Sequence, residues 1–402
     1  MNNWAPVSTV YVYAPLAGVH CPVGIITGHG PYVFTYAQSW LAASGAFALD
    51  PVHLPLSEQP FSATRLWGVF EDGTPDAWGR KVMLAAHRQQ PGNVLEWLLA
   101  ARGAGVGCLL FSAARSRVLP TPAMPALADL EHLLAFIEAI DNGGKPDGLD
   151  GRLSRLLVQG SFMGGARPKL ALTHAGGQWL VKFSRADDRF DQPRAEAACL
   201  MMAAACGIEV PVHQVHRLNG RSLLLVKRFD RVGGAHLHYL SANSLIAPQR
   251  ARDGDPEGPL SYLRLCQVIE QISPDAAAEL ADLFRRMVFN IAIGNTDDHL
   301  KNHGFLYNGD NTYRLSPAFD LLPHPGQSAK QALAVGKDGR AATFANALSM
   351  CARFGLSRAA ARAIIEQVLE VTARAVDYFQ SADMRASEQG SLVNICLSKT
   401  AL

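Results

Sequence analysis

The sequence predicts an α+β protein with a sheet-rich lobe, a helical lobe after it, and a small α+β subdomain before both. Three short apolar runs with Gly-containing turns, at residues 170–172, 179–183 and 222–229, predict strands of one sheet. Beyond residue 255 the pattern turns largely helical, as in ADLFRRMVFNIAIGN and SRAAARAIIEQVLEVTARAVDYF. Because 402 residues exceed what one hydrophobic core usually serves, two or more domains are expected.

The N-terminal part begins with TVYVY, residues 9–13, whose alternation suits a strand. Near residue 120 the prolines Pro120, Pro122 and Pro125 remove backbone donors and fix φ, which disfavours regular structure. We therefore place a domain boundary there. The predicted parts are an N-terminal subdomain (1–120), a sheet-rich lobe (121–230) and a helical C-terminal lobe (231–402).

Two helices are expected beside the predicted sheet. One lies around residues 130–140, and the other is the segment 194–207, which is rich in Ala, Leu and Met and closes with glycine. The second helix should cross over the sheet between its second and third strands. In the helical lobe, Ser357 is a candidate N-cap for the helix that follows it.

Composition and charge argue against several classes of protein. Hydrophobic residues make up 49% and charged residues 18% of the chain, which is ordinary for a globular protein and argues against long disordered segments. The net charge of +2 gives no overall attraction to nucleic acid. Any contact with DNA should therefore involve a local surface of the chain or be made through a partner protein.

Cysteine usage and hydropathy indicate a cytoplasmic protein. The seven cysteines are scattered, with no CxxC pair and no histidine at ligand spacing, so a zinc site is not expected and reduced thiols fit best. The first residues, MNNWAPVS, lack a basic region followed by an apolar run. No window approaches the roughly 20 apolar residues of a membrane span, so no membrane association is predicted.

The segment NTDDHLKN, residues 295–302, carries the main chemical signal because it follows the apolar, helix-like run MVFNIAIG. Phosphoryl transfer needs a carboxylate near the attacking hydroxyl and oxygen ligands that hold Mg²⁺ against the phosphates. Asp297 and Asn302 have the D-x-x-x-x-N spacing of a kinase catalytic loop. HGFLYNGDNTYRL then predicts a β-hairpin that brings Asp320, the candidate main metal ligand, back beside Asn302.

A purely structural interpretation of these residues competes with the catalytic one. A single Asp most often caps a helix or starts a turn. Three residues in register behind a buried helix favour catalysis instead. For Asp298 a solvated side chain is the favoured interpretation, while His299 is as good a candidate for orienting the loop or contacting metal or nucleotide as for an ordinary hydrogen-bonded histidine.

Upstream residues suggest a nucleotide-phosphate site. GSFMGGARPK, residues 160–169, precedes a strand, and Gly164 and Gly165 would let backbone amides approach phosphate oxygens closely. Lys182, in the strand WLVKF, points away from its apolar neighbours, and Glu196 follows on the predicted helix. A strand lysine and a helix glutamate hold the α- and β-phosphates in protein kinases. Taken singly, each is more often solvent-exposed.

The third strand, SLLLVKRFDR, is a candidate hinge. Backbone groups of Val226, Lys227 and Phe229 would hydrogen-bond adenine, and the Phe229 ring would pack on it. Arg228 and Asp230 form, in the alternative interpretation, a surface ion pair.

A second glycine-rich segment, RGAGVG at residues 102–107, does not fit a dinucleotide loop. That fingerprint follows a strand and precedes a helix. Here helix-like sequence precedes the glycines and the strand-like CLLF follows them, so the order is reversed.

Over nearly its full length the chain resembles the HipA family of toxin kinases. The motifs that carry the resemblance are GGARPK, VKF, LVKRFDR, NTDDHLKN and AFDLLP, with FTYAQSWLAASG, HLPLS and FEDGTPDAWGR in the first domain. The resemblance implies a bilobed, protein-kinase-like fold and serine/threonine phosphorylation of a protein with ATP and Mg²⁺.

The same resemblance assigns roles by position. It makes Asp297 the catalytic base and Asn302 and Asp320 the Mg²⁺ ligands. The implied ATP-binding residues are Gly164, Gly165, Lys169, Lys182, Glu196, Val226, Lys227, Phe229 and His299.

Family members are inhibited by autophosphorylation of a serine in the glycine-rich loop, which corresponds to Ser161. Compared with the family's loop, this chain has one extra residue between Ser161 and GARPK. Ser154, or no loop serine at all, therefore remains an alternative. The family also implies an aminoacyl-tRNA synthetase as target, and a separately encoded, HipB-like helix-turn-helix antitoxin through which DNA would be contacted.

Two other functions remain open at this stage. A D-x-H-x-x-N pattern also occurs in aminoglycoside phosphotransferases, so the acceptor could be a small molecule. A catalytically weak corepressor or scaffold of a DNA-binding partner is the third hypothesis. The first domain argues against the small-molecule enzyme, and the intact metal-binding positions argue against the corepressor.

Overall fold

The computed structural model describes residues 7–87, 91–116, 123–144, 151–247, 255, 257–324 and 329–398. The chain divides into two compact units. The first contains Met1–Lys182, Leu225–Leu240 and Gly309–Asn311, and the second contains Phe183–Leu224, Ser241–Asn308 and Thr312–Leu402. The boundary predicted near residue 120 falls outside the described residues.

The first unit begins with a five-stranded sheet in the order β4-β3-β2-β1-β5. Its strands are β1 (Thr9–Leu16), β2 (Val19–Gly28), β3 (Tyr32–Tyr36), β4 (Phe61–Ala63) and β5 (Leu110–Ser112). The strand predicted at residues 9–13 is confirmed. Val10 and Val12 are fully buried, as expected for alternating residues on one face of a sheet.

Six helices belong to the described part of the first unit: α1 (Gln38–Leu41), α2 (Gly68–Glu71), α3 (Ala77–Ala86), α4 (Val94–Ala101), α5 (Leu130–Asp141) and α6 (Gly151–Gly160). The helix predicted around residues 130–140 is α5, whose buried residues recur at helical spacing on one face. The segment RGAGVG follows α4 and precedes β5, the order that the sequence predicted. Helix α3 packs against both α5 and α6.

A four-stranded sheet has the order β6-β7-β9-β8. Its strands are β6 (Lys169–His174), β7 (Gly177–Phe183), β8 (His213–Leu218) and β9 (Arg221–Lys227), with α7 (Gln192–Ala205) between β7 and β8. Three of these strands and the helix were predicted. Strand β8 was missed because HQVHRL is polar, lies at the edge of the sheet and buries none of its residues fully.

The remaining strands are short. Strands β10 (Arg231–Val232) and β11 (Ala235–His236) form a hairpin, and a three-stranded sheet has the order β12 (Tyr239–Ser241), β13 (Gly304–Gly309), β14 (Thr312–Leu315). The hairpin predicted after the segment NTDDHLKN is confirmed as β13 and β14. Both Asp310 and Asn311 in its turn have positive φ, as a tight two-residue hairpin turn requires.

The second unit is mainly helical after β12, as predicted. Its later helices are α8 (Ala242–Ile246), α9 (Tyr262–Ile272), α10 (Ala276–Ala292), α11 (Phe344–Ser349), α12 (Arg358–Thr372), α13 (Ala375–Ser381) and α14 (Ala386–Ser398). Helix α10 packs against α9, α11 and α12, so it lies at the centre of this unit.

A polar side chain makes a local hydrogen bond at each end of α12. Ser357 caps its start, accepting a hydrogen bond from the amide of Ala360 at 3.1 Å, as predicted. The helical pattern predicted to continue to residue 379 is interrupted after Thr372. The Thr372 hydroxyl donates to the carbonyl of Val368 at 3.0 Å, a contact that bends helices. Within the described residues, no helix is both long and apolar enough to cross a membrane.

Candidate active site

The loop that carries Asp297 begins where α10 ends. Gly294 has φ +68°, so it can leave the helix in the left-handed conformation that most residues avoid. A Cβ at this position would also clash with the side chain of Ile395 on α14. The amide of Asn295 then donates to the carbonyl of Asn290 at 2.9 Å. Glycine at this point therefore directs the polar residues after it out of a buried helix.

Asp297 and Asn302 lie together in this loop. A 3-10 helix over Leu300–Asn302 shortens the path between them, and the Asn302 side-chain amide donates to the carbonyl of Asp297 at 3.2 Å. Asp297 is exposed, while Asn302 is 9% exposed. Because the Asn302 nitrogen is used inside the loop, its Oδ1 is the atom suited to bind a cation.

Asp320 returns to the same unit through the β13–β14 hairpin. After the hairpin the amide of Ser316 donates to the carbonyl of Gly304 at 2.8 Å, and the amide of Ala318 donates to the carbonyl of Glu209 at 2.7 Å. Asp320 is exposed and has φ +59°, a left-handed conformation that Asp tolerates better than most residues. The side-chain amide of Asn295 donates to the backbone carbonyl of Asp320 at 3.4 Å.

His324 is a residue that sequence reasoning missed. Burial lowers the pKa of its imidazole, while the charges of Asp297 and Asp320 act in the opposite direction. The two carboxylates therefore lie close enough to one ring to influence it. The amide of His324 donates to the carbonyl of Gly294 at 3.1 Å, which ties the end of AFDLLPH to the start of the loop that carries Asp297. The signal in the sequence that could have identified His324 was its position four residues after Asp320.

The oxygen donors of this loop fit a hard divalent cation. Mg²⁺ is bound in proteins through one or two carboxylates, with other oxygens and water completing the shell. Asp320 offers a carboxylate and Asn302 an amide oxygen. Among the described residues no group of three or more His, Cys, Asp or Glu side chains is arranged to hold a metal.

The glycine-rich segment lies between α6 and β6 in the first unit. Gly164 and Gly165 have φ +45° and +93°, which glycine adopts without strain. The amide of Gly165 donates to Asp76 Oδ2 at 2.8 Å, and its carbonyl accepts from the amide of Trp78 at 3.2 Å. The Lys169 ammonium lies where a side chain at position 165 would extend. The segment is therefore held by the start of α3.

Lys169 and Lys182 are direct cross-strand partners in the antiparallel pair β6–β7. Residues directly opposite one another in such a pair project from the same face, and like charges in these positions are destabilising. Both lysines are half-buried, whereas Val181 and Phe183 are buried, as the predicted alternation requires. Two opposed ammonium groups beside a glycine-rich loop are suited to bind an anion.

Glu196 lies in the first half of α7 and is 6% exposed. Asp191 caps the start of the helix, and its side chain accepts from the amide of Arg194 at 3.2 Å. Arg194 donates through Nε to Ser222 Oγ at 2.8 Å and through Nη1 to the carbonyl of Ala382 at 3.1 Å. The helix that carries Glu196 is thus anchored within its own unit.

The predicted hinge residues have different environments. Val226 is buried, Lys227 is exposed and Phe229 is half-buried, with its ring 6.4 Å from that of Tyr239. The amide of Arg228 donates to the carbonyl of Gln178 at 2.9 Å.

The alternative interpretation of Arg228 and Asp230 was a surface ion pair, and it is wrong about their exposure. The pair exists, with Nη2–Oδ2 at 2.7 Å, but the two residues are only 4% and 2% exposed. Arg228 Nη2 also donates to the carbonyl of Gly105 at 2.8 Å, so the pair is covered by the RGAGVG segment.

Four further residues considered in the sequence differ in their exposure. Ser161 is 2% exposed, and its hydroxyl donates to the carbonyl of Val158 at 2.8 Å. Ser154 is half-buried on α6. His299 is exposed, and its carbonyl accepts from the amide of Asn302 at 2.8 Å. The favoured interpretation of Asp298 as a solvated side chain is wrong, since Asp298 is 3% exposed.

Comparison with known proteins gives consistent results for both parts of the chain. Residues 161–376 match the family described as HipA-like C-terminal domain, and residues 20–112 match the HipA N-terminal domain. "Putative kinase Y4mE" of Sinorhizobium fredii is 26% identical over 333 residues, which cover 77% of each chain. "Putative kinase Y4dM" of the same organism is 32% identical over 162 residues, 37% of each chain.

A solved structure has a similar fold. It is the Shewanella oneidensis MR-1 toxin–antitoxin system HipA, HipB and its operator DNA complex. The similar chain superposes with a TM-score of 0.72 and 18% identity, covering 97% of this chain and 96% of the other. At that identity the likeness shows the fold. It confirms the predicted α+β class and extends the match across both units.

Proposed function

Because the chain belongs to the HipA-like family, whose relatives here include proteins named as kinases, we propose that it is an ATP- and Mg²⁺-dependent serine/threonine protein kinase. The observation that carries the proposal is the convergence of three predicted residues within one unit. The side-chain amide of Asn302 donates to the backbone carbonyl of Asp297, and the side-chain amide of Asn295, at the start of the same loop, donates to the backbone carbonyl of Asp320. This combination supplies one exposed carboxylate for a hydroxyl proton and oxygen donors for a cation.

In this proposal the serine or threonine hydroxyl of the acceptor attacks the γ-phosphorus of ATP. The new O–P bond forms as the bond between the γ-phosphorus and the bridging oxygen breaks, and ADP leaves with that electron pair. Asp297 accepts the hydroxyl proton, for which its exposed carboxylate is suited. Asn302 and Asp320 would hold Mg²⁺, which supplies charge neutralisation at the phosphate oxygens.

The first unit would bind the phosphates of ATP. Lys169 and Lys182, paired across β6 and β7, would place positive charge beside them, and the Gly164–Gly165 turn, which has no side chains, would let the backbone approach them closely. Glu196 and His299 remain candidate ATP-site residues, and Val226, Lys227 and Phe229 remain candidate adenine contacts.

The proposed acceptor is a protein of the translation machinery, with an aminoacyl-tRNA synthetase as the class that the family suggests. The similar Shewanella structure contains HipA, HipB and operator DNA. We therefore include a HipB-like helix-turn-helix partner in the proposal, with DNA reached through that partner, and a cytoplasmic location. Autophosphorylation at Ser161 would require its buried hydroxyl to leave the carbonyl of Val158.

Phosphoproteomics on cells that express the wild type or Asp297→Asn tests activity and acceptor together. The proposal expects phosphoserine or phosphothreonine sites on a translation protein that appear only with the wild type. If no protein site differs while a small molecule is phosphorylated by purified enzyme, the acceptor class is wrong. Growth inhibition that is equal for both variants would favour the corepressor hypothesis.

A further inference from the structure

Three buried polar side chains meet directly behind the catalytic loop in the second unit. The hydroxyl of Tyr262, on α9, donates to one carboxylate oxygen of Asp298. His303 Nε2 lies 3.1 Å from the other carboxylate oxygen. The rings of Tyr262 and His303 also meet edge to face, with centroids 5.7 Å apart. Both oxygens of the carboxylate are therefore engaged.

The contacts continue from Tyr262 in the opposite direction. Helix α10, which carries Asn290, packs against α9, which carries Tyr262, and the Asn290 side chain acts to lower the pKa of the Tyr262 hydroxyl. Asn295 Nδ2 donates to Asn290 Oδ1 at 2.9 Å, and to the carbonyl of Asp320 at 3.4 Å. His303, Asp298, Tyr262, Asn290 and Asn295 thus form one continuous chain of contacts. We call these five residues the buried chain.

Every member of the buried chain is shielded from solvent. The exposed fractions are 0% for Tyr262, 1% for Asn295, 2% for Asn290 and His303, and 3% for Asp298. Burial alone would raise the pKa of Asp298, but His303 and Tyr262 outweigh it and hold that pKa below its usual range. A buried charged group of this kind is poor evidence for stability, because well-packed apolar residues often serve a core equally well. Stability alone therefore does not account for this arrangement, and its position must be considered.

The position of the buried chain along the sequence indicates another role. Asp298 directly follows Asp297, and His303 directly follows Asn302. At the other end, Asn295 holds the backbone carbonyl of Asp320. Each proposed catalytic residue is therefore adjacent to the buried chain or bonded to it. A shift of any member would move one end of the loop relative to the other.

We propose that the buried chain positions the proposed base and the two proposed metal ligands relative to one another, with Tyr262 and Asp298 as its central positioning residues. This inference rests on the proposed kinase function. Groups behind metal ligands commonly act in this way, and their mutation typically lowers metal affinity or activity by about 10- to 100-fold. None of the five residues needs to touch substrate for this effect.

Tyr262→Phe and Asp298→Asn test the proposal, because each keeps side-chain shape and removes one contact. The matched control is Tyr36→Phe, which deletes a buried hydroxyl that donates to the carbonyl of Leu54 at 2.6 Å in the first unit. For each full-length variant, kcat, KM for ATP, the Mg²⁺ concentration at half-maximal rate and the thermal midpoint are measured. The positioning role predicts a kcat lower by about 10- to 100-fold, or an equally raised Mg²⁺ requirement, in Tyr262→Phe and Asp298→Asn.

The double variant sharpens the test. Residues that act as a unit are strongly non-additive, so Tyr262→Phe with Asp298→Asn should be little worse than the poorer single variant. Tyr36→Phe should lower only the thermal midpoint.

Three results would count against these assignments in different ways. A wild type without phosphoryl transfer overturns the proposed function. The positioning role alone is overturned by a different result. In that case the wild type is active, and Tyr262→Phe and Asp298→Asn lose thermal stability as Tyr36→Phe does, but their kcat and Mg²⁺ requirement per folded molecule are unchanged. If Asp298→Asn does not fold, His303→Gln replaces it at the same carboxylate, and unchanged kinetics in that variant again overturn the positioning role.

Discussion

Asp76 accepts a hydrogen bond from the backbone amide of Gly165 at 2.8 Å, across 89 positions of sequence. Asp76 occupies the N-cap position of α3, yet its side chain does not cap that helix. The carboxylate is directed to the glycine-rich turn instead, and the indole nitrogen of Trp78 donates to the carbonyl of Lys169 at 2.8 Å. The motif GTPDAWGR of the first domain therefore shapes the proposed phosphate-binding loop.

Replacing Asp76 with Asn should weaken ATP binding. A hydrogen bond to a charged carboxylate contributes about 1.5–3 kcal/mol, against about 0.5–1.5 kcal/mol for one to a neutral amide oxygen, so the weaker bond to Asn should let the Gly164–Gly165 turn leave its present conformation. We expect KM for ATP to rise about tenfold or more with a smaller change in kcat. Asp187→Asn, at a side chain that is 73% exposed, is the matched control. A KM that stays the same or falls in Asp76→Asn would contradict this role.

Lys182→Met should abolish the thermal stabilisation produced by Mg²⁺ and ATP, and Lys169→Met should reduce it. A ligand that binds only the folded protein raises its stability by an amount set by its concentration relative to Kd. The two lysines are opposed on one face of β6 and β7, so both should contribute to anion affinity. Differential scanning fluorimetry with and without nucleotide measures the shift. Lys337→Met, at an exposed turn, should keep the full shift, and a full shift in Lys182→Met would refute the assignment.

Asp230→Asn should strongly destabilise the protein. Asp230 Oδ2 lies 2.7 Å from Arg228 Nη2 and 2.6 Å from Arg231 Nη1, and it accepts from the amide of Gly107 at 2.8 Å. Burial alone would raise the pKa of Asp230, but the two guanidinium groups hold it well below its usual range. Removing one partner of a buried ion pair costs about 3–5 kcal/mol.

The matched control for Asp230 is Asp377→Asn, which breaks a pair with Arg374 whose side chains are 60% and 68% exposed. Exposed pairs of this kind contribute at most about 1 kcal/mol. Urea unfolding of both variants gives the comparison. Equal losses of unfolding free energy would show that the RGAGVG segment does not depend on the buried pair.

His238 should make stability fall as the solution is acidified. Burial lowers the pKa of His238 to about 3, and its ring meets that of Phe47 edge to face at 5.2 Å. Because the folded-state pKa lies below the unfolded value of about 6.5, the unfolded chain takes up a proton first as pH falls. Stability is fully present above about pH 6.5 and is lost towards pH 3, by at most about 1.4 kcal/mol per pH unit.

Unfolding free energies at several pH values between 7.5 and 5 check this sign. His238→Gln should lose less stability on acidification than the wild type, while His132→Gln, at an exposed position on α5, should follow the wild type. Parallel profiles for wild type and His238→Gln would contradict the prediction.

Much of the fold was predictable because its elements carry local signals. The alternation in WLVKF, the apolar run before Gly294 and the polar turn at Asp310 and Asn311 each specify a local structure that the chain adopts. The placement of Asp297 at the end of a buried helix followed from the same reasoning. Strand β8 carries no such signal, because a polar edge strand resembles a loop in sequence.

Long-range burial was not predictable from local pattern. Asp297 and Asp298 are adjacent and identical in type, yet the first is exposed and the second buried. The difference depends on Tyr262, 36 positions earlier. The burial of Arg228 likewise depends on the carbonyl of Gly105, 123 positions away. Partners at such separations are fixed by tertiary packing, which the sequence near each residue does not encode.

Transfer of labelled γ-phosphate by the purified full-length chain tests the central claim most directly. Wild type, Asp297→Asn and Asp320→Asn are incubated with ATP and either Mg²⁺ or a chelator, and phosphoserine and phosphothreonine are measured on the chain itself and on added aminoacyl-tRNA synthetases. We expect label on protein with wild type and Mg²⁺, and at least a hundredfold less with either variant or with chelator. Equal labelling by wild type and Asp297→Asn would contradict the account.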